Sequence, residues 1–464
     1  MAEYDTQELD RVFGSESCGS TPESRARTSN RIFVRSQHQV SFWNEGSKGR
    51  RFKAGEVLDA YGWDVLRELA DHSASPVVTA GGEPLRFLTK QLEALGVDQR
   101  KTLVAAKWPQ TSIDAFERNR QVPFKDLERL AQMISVEPHE LGQPDQAESA
   151  HSLGVRLRSI GATHARFSSK VVLALAEAAW VIRKQHELTR LLNEPVRDLC
   201  ITPDDEYGSY LTPAWRKGQQ LAQDTRDRLG FDGNQRIESL TQLLEDTLGI
   251  PVIHVELPVD FAGATIANGD VRGIVINTNG KNHNVWVRRM TMAHELGHLL
   301  WDPPQRLKRL VVDRYSEVEA DFVKAQDPVE QRANAFAVEF LAPRAAIRSL
   351  YLEASNARDG VIAIMEAFDI GRAAATYHIQ NELHGATVKT GQIELEPDDA
   401  LIAREELTVG YFKPDEVPYS RRGKFARLVA KAVREGLITD DTAAAYLRCS
   451  QAHIDDALAF IAQV

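Results

Sequence analysis

Cysteine is scarce. The three residues in 464, Cys18, Cys200 and Cys449, are far apart and odd in number. That argues against a disulfide framework and against a zinc site built from cysteines alone, and it suits a reducing compartment. Long apolar runs are missing as well. The longest apolar stretch, over 171–182, is broken by Glu177 and is too short to span a bilayer. An excess of positive charge is also absent, since 56 Lys and Arg stand against 66 Asp and Glu, a net charge of −10. The balance speaks against a chain that mainly coats nucleic acid, but it leaves room for one small DNA-reading domain. Residues 1–11 are acidic and polar and carry no signal-peptide pattern, so a cytoplasmic protein without a membrane partner is expected.

What is present is ordinary for a soluble chain, with 43% apolar and 26% charged residues. The length suggests about two to four domains. The expected fold class is α+β, mostly helical and multi-domain. Residues 1–80 read as an N-terminal arm, partly disordered or loosely docked, because 15–31 are rich in Ser, Arg, Gly and Thr with little apolar periodicity. Over 83–142 the pattern is of short helices. Leu85, Leu88, Leu92 and Leu95 recur at helical spacing before Gly96, and further helices are expected near 99–107, 110–119, 124–134 and 138–141. Residues 143–150 read as a linker. From 151 to about 385 helices give way to short strands at 251–255, 264–266 and 273–276, the last two flanking an Asn268-Gly269 turn signal. Residues 390–464 read as a helical C-terminal domain.

The string that carries chemistry is Thr291-Met-Ala-His294-Glu295-Leu-Gly-His298-Leu-Leu-Trp301-Asp302, an H-E-x-x-H pattern on an expected helix. Four residues turn a helix by about 400°, so the two imidazoles stand roughly 40° apart and about 6 Å apart along the axis. That spacing lets His294 and His298 share one metal ion, while Glu295 on the adjoining face can act as the general base. A catalytic zinc needs a third protein ligand. Carboxylates downstream include Asp313, Glu317, Glu319, Asp321, Asp327, Glu330 and Glu339. On an expected helix over 329–341, Glu330 shares a face with the small residues Ala333 and Ala337, which allow close helix approach, whereas Glu339 points about 180° away. Glu330 is the expected ligand. Asn334 would then accept from the outer N–H of a ligand histidine, and Asp302 could do the same or lie solvated at the helix end. Gly273, Ile274, Val275 and Ile276 are the candidate edge strand for an extended substrate, or a plain buried strand.

These residues resemble a known family. Gly273-Ile-Val-Ile-Asn277, then Met292-Ala-His294-Glu295-Leu-Gly-His298-Leu-Leu, then Glu330-x-x-Ala333-Asn334-x-Phe336-Ala337-x-x-Phe340-Leu341-x-Pro343, look like the ImmA/IrrE metallopeptidases over roughly 165–385. The resemblance implies a gluzincin-like fold with one zinc ion on His294, His298 and Glu330, and Glu295 as catalytic base. It also implies site-specific cleavage of a protein substrate, typically a helix-turn-helix repressor, in a DNA-damage, mobile-element or phage-defence response. It does not fix a residue that stabilises the transition state. Tyr377 and His378 are the candidates, and both also read as ordinary helix residues. Another divalent ion such as manganese could use the same ligands.

Residues 85–142 carry a second resemblance, to five-helix Xre/Cro-type helix-turn-helix domains, through Ser112-Ile113-Asp114-Ala-Phe116-Glu117-Arg118, Val122-Pro123 and Leu127-x-x-Leu130-Ala131-x-x-Ile134. It implies that Gln110, Thr111 and Arg118 face DNA. Asp114 and an even balance of acidic and basic residues in the segment leave a second role open, protein contacts or homodimer formation. Ser420-Arg-Arg422-Gly-Lys424 opens the C-terminal helices as a basic run that could touch nucleic acid or form a solvated face. Two rivals to a peptidase remain at this point. One is a DNA-binding regulator whose zinc domain is a sensor or scaffold, and the other is a toxin–antitoxin-type component.

Overall fold

The computed structural model describes residues 4–36, 39–47, 49–71, 77–78, 84–120, 122–134, 136, 168–201, 212–268, 271–307, 311–314, 327–383, 388–406 and 416–461. The described chain is mostly helical, with two four-stranded sheets, an α+β arrangement. It divides into two compact units: Met1–Lys184 with Phe412–Val464, and Gln185–Tyr411.

The first unit begins with structure where an arm was expected. Asp5 caps α1 (Thr6–Phe13) by accepting from the Gln7 N–H at 3.0 Å, and Thr21 opens α2 (Pro22–Thr28) with a reciprocal capping box. Strands β1 (Ile32–Ser36), β2 (Gln39–Phe42), β3 (Arg50–Lys53) and β4 (Val77–Val78) pair antiparallel in the order β3-β1-β2-β4, with α3 (Ala54–Asp71) between β3 and β4 in sequence. Leu9, Val12, Phe13, Phe33, Val40, Val57, Leu66 and Leu69 form its core. Composition misled here for a physical reason. The polar stretch satisfies itself internally: Arg25 is buried and donates to the Gly19 carbonyl at 2.7 Å and to Asp10 at 2.8 Å.

Four helices follow, α4 (Pro84–Leu95), α5 (Gln99–Ala105), α6 (Gln110–Glu117) and α7 (Phe124–Met133). Asp98 caps α5, and a buried hydrogen bond from Ser112 to Asp126, 2.7 Å long, ties α6 to α7. Leu88, Leu92, Leu103, Ile113, Phe116, Leu127, Leu130 and Ile134 are buried. The helix expected at 138–141 and the linker at 143–150 lie outside the described residues.

Helix α8 (Ser169–Leu191) runs across the boundary between the units in sequence. Its Glu177 accepts from Arg421 at 3.1 Å and from Arg448 at 2.8 Å. Burial would raise the Glu177 carboxyl, yet the two guanidiniums hold it down to about 2. Arg421 is fully buried and also stacks on Trp180. The basic run at 420–424 is therefore no solvated face: its Arg421 and Lys424 are interior.

In the second unit, α9 (Ala214–Leu229) and α10 (Leu240–Gln242, continuing as a π turn over Leu243–Thr247) precede β5 (Val252–Val255), β6 (Phe261–Asn268) and β7 (Val271–Asn277). Helix α11 (Val285–Trp301), β8 (Val311–Arg314) and α12 (Pro328–Leu341) come next, then α13 (Arg344–Glu353), α14 (Ala357–Phe368), α15 (Arg372–Glu382) and α16 (Asp399–Glu406). The sheet order is β5-β7-β6-β8, with β5 and β7 parallel and the other pairs antiparallel.

Two expectations change. Gly273–Ile276 are not an edge: β7 is an interior strand bonded to β5 and β6, and these four residues are buried. The parallel β5–β7 pair, which local hairpin reading does not foresee, covers the side that was expected to be open. Helix α16 belongs with the second unit, not with a C-terminal domain beginning at 390. Its buried Glu405 accepts from the Leu240 and Thr241 N–H groups at 2.8 and 3.0 Å and pairs with Arg289.

Candidate metal centre

Helix α11 starts where Asn284 accepts from the Trp286 N–H at 2.9 Å, and its interior is buried almost throughout. It packs on β6 and β7 on one side and on α12 on the other. Gly297 makes the second contact possible, because a Cβ there would lie 2.9 Å from the Phe336 ring. Gly218 on α9 plays the same part on α12, where a Cβ would fall on the Arg332 carbonyl. Small residues at these two crossings set how near α12 comes to the histidine helix and to α9.

The three side chains at the crossing converge. His294 Nε2 and His298 Nε2 are 3.0 Å apart, and Glu330 Oε2 lies 3.3 Å from the first and 3.6 Å from the second. Both histidines are fully buried and Glu330 is nearly so. Three donor atoms held about 2.0–2.2 Å from one ion at tetrahedral corners would be roughly 3.3–3.6 Å apart. The two edges to Glu330 match that length and the 3.0 Å edge between the histidines is somewhat shorter, so His294, His298 and Glu330 could hold one metal ion.

Each donor is oriented from behind. His294 Nδ1 is 2.8 Å from Asn334 Oδ1, one turn after Glu330 on α12. His298 Nδ1 is 3.0 Å from Asp302 Oδ2 at the end of α11. With the outer nitrogens turned to oxygen acceptors, both Nε2 atoms face inward. Asp302 is itself held by Arg332 and by Arg306 Nε at 2.9 Å, and Arg306 Nη2 reaches Glu330 Oε1 at 2.9 Å. Burial would strip the His298 ring of its proton, but Glu330 and Asp302 hold its pKa well above the ordinary value. Burial likewise opposes ionisation of Asp302 and Glu330, yet both are lowered, chiefly by His298. The cluster favours positive charge among these side chains.

Glu295 is fully buried on the sheet side of α11, and the Thr265 hydroxyl of β6 donates to its Oε2 at 2.6 Å. Gly263 lies beside it; a Cβ there would stand 3.0 Å from Glu295 Oε1. Thr265, Gly263, Arg306 and Arg332 escaped the sequence reading. Their roles depend on pairing across the sheet and between helices, for which no local spacing signals.

Other candidates lie elsewhere. Glu339 faces His378 at 3.5 Å rather than the triad. The His378 ring is buried, with Nε2 2.9 Å from the Ala342 carbonyl, and burial pushes its pKa down to about 4. Tyr377 is partly exposed. In the first unit, Gln110, Thr111 and Arg118 are exposed along α6 and just beyond it, with the Gln110 amide donating to Asp114 at 2.6 Å.

Residues 257–380 match the family model described as Peptidase_M78, IrrE N-terminal-like domain. The span runs from just before β6 through most of α15 and includes the triad and Glu295. The match gives this part of the chain a peptidase-type function, of a class that is typically metal-dependent. No curated protein matches the chain. No helix among the described residues is long and apolar enough to cross a membrane.

Proposed function

We propose that the chain is a zinc-dependent endopeptidase that cuts a specific protein, in line with the ImmA/IrrE resemblance. The carrying observation is the buried triangle of His294, His298 and Glu330 with Glu295 on the same helix. Zinc bound there would polarise the scissile carbonyl and ease ionisation of the attacking water. Glu295, braced by Thr265, takes the water proton on its carboxylate and delivers it to the leaving amine. Asn334 and Asp302 fix the two imidazole tautomers. The substrate class is a repressor or another neighbouring-gene product. Helices α4–α7 serve as a helix-turn-helix module, with Gln110, Thr111 and Arg118 toward DNA. The test incubates purified protein with each neighbouring gene's product, with and without chelator. Cleavage should stop with chelator and in Glu295→Gln, while Glu295→Gln keeps its metal. Equal cleavage by Glu295→Gln would refute the assignment.

A further inference from the structure

The first unit contains a cavity of about 1000 Å³, far in sequence from the peptidase residues. Small-molecule sites span roughly 300–1,000 Å³, so it is large enough for a ligand. Its lining joins four parts of the unit: the N-terminal sheet at Gln39 and Arg50, the turn after α5, helix α7, and, after α17 (Lys424–Arg434) in sequence, the C-terminal helix α18 (Asp440–Leu447) with the residues flanking it.

Its charges are asymmetric in availability. Each acidic lining residue has a basic partner, although Glu128 Oε1 has no hydrogen-bond partner. Glu128 meets Arg50, Asp441 is bonded by Arg51 at 3.1 Å, and Glu416 is paired with His453 at 2.9 Å. The basic residues Lys107, Lys125 and Arg129 line the same cavity and have no ion pair among the described residues. Two buried donors add to them. Gln132, 2% exposed, has its Nε2 without a hydrogen-bond partner, and so does the Nε of Arg50, whose side chain is 9% exposed. Buried donors left unmatched are costly, and an oxygen-rich anion relieves both. Apolar surface from Phe124, Pro418, Ala444 and Ala445 completes the wall.

We propose that this cavity binds a phosphorylated small molecule with a flat apolar body, the chemical class of the nucleotides. Phosphate oxygens meet Lys107, Lys125 and Arg129 and accept from Gln132, while the apolar body rests on Phe124 and the alanines. Surplus cations select the anion, and the apolar wall separates such a ligand from bare phosphate.

The test is calorimetric titration of the full chain with ATP, AMP, adenosine and pyrophosphate. At least one nucleotide should bind with a stoichiometry of one, and adenosine should bind at least about tenfold more weakly, a factor worth about 1.4 kcal/mol. The Lys125→Glu/Arg129→Glu double variant should weaken nucleotide binding at least about tenfold. Lys125 is exposed and Arg129 half-buried, so this variant stays informative even where Gln132→Glu, which turns the buried donor into an acceptor, fails to fold. Absence of nucleotide binding, or equal affinity in the double variant, would overturn the proposal. Pyrophosphate binding as tightly as ATP would overturn the apolar-body assignment.

Discussion

Replacing Gly297 by alanine should destabilise the peptidase unit, against the usual behaviour of a helix glycine. In an open helix interior the change gains about 1 kcal/mol of helix propensity. At position 297 the new Cβ would sit 2.9 Å from Phe336 Cδ1 and 3.2 Å from its Cγ. Phe336 is 1% exposed and stacked on Phe340 with ring centroids 5.4 Å apart, so it has little room to yield. Overpacking of a filled core costs about 1–3 kcal/mol, which equals or exceeds the propensity gain. The expected net change is a loss of roughly 0–2 kcal/mol, and more for Gly297→Val. Phe336 rides on the helix that carries Glu330 and Asn334, so metal affinity should fall together with stability. Gly55 in α3 is the control, since nothing lies within 4 Å of its would-be Cβ; Gly55→Ala should be neutral or slightly stabilising. Urea unfolding of both variants, with chelator competition for metal affinity, gives the comparison. A Gly297→Ala chain stabilised by about 1 kcal/mol would show that the two helices are not packed as described.

Further outcomes follow from the same geometry. Asn334→Ala removes the acceptor that orients His294 and should weaken metal binding about 10- to 100-fold in a chelator competition; unchanged affinity would show that Asn334 does not orient the ring. In the first unit, burial pushes the Glu56 carboxyl up to about 7 despite hydrogen bonds from Thr442 and the Lys53 N–H. A carboxyl raised on folding binds its proton more tightly in the folded chain. Its stabilising effect is complete below about 4.5 and disappears as pH rises toward about 7. Hydrogen exchange over β3 and α3 should therefore quicken across that window, and Glu56→Gln should flatten the dependence; an identical slope in the variant would count against a buried, raised carboxyl.

Local periodicity carried the metal site far and the architecture less far. The four-residue spacing of His294 and His298 and the one-turn spacing of Glu330 and Asn334 are properties of single helices. They could be read from the chain alone, and the described geometry brings these four side chains together. The sheet was less legible. The interior place of β7 comes from pairing with β5, some twenty residues earlier in the chain, and nothing within Gly273–Ile276 announces it. The N-terminal region was misread because its few apolar residues, among them Leu9, Phe13, Phe33 and Leu66, meet only in three dimensions. Arg421 looked like a surface charge because its partner Glu177 stands 244 residues away.

His294, His298 and Glu330 together should hold one divalent ion. Elemental analysis of native protein beside a Glu330→Gln variant tests it most directly. One divalent ion per chain is expected in the native protein, with sharply reduced retention in the variant after dialysis against a mild chelator. Equal metal content in the two, or native protein without a stoichiometric ion, would contradict it.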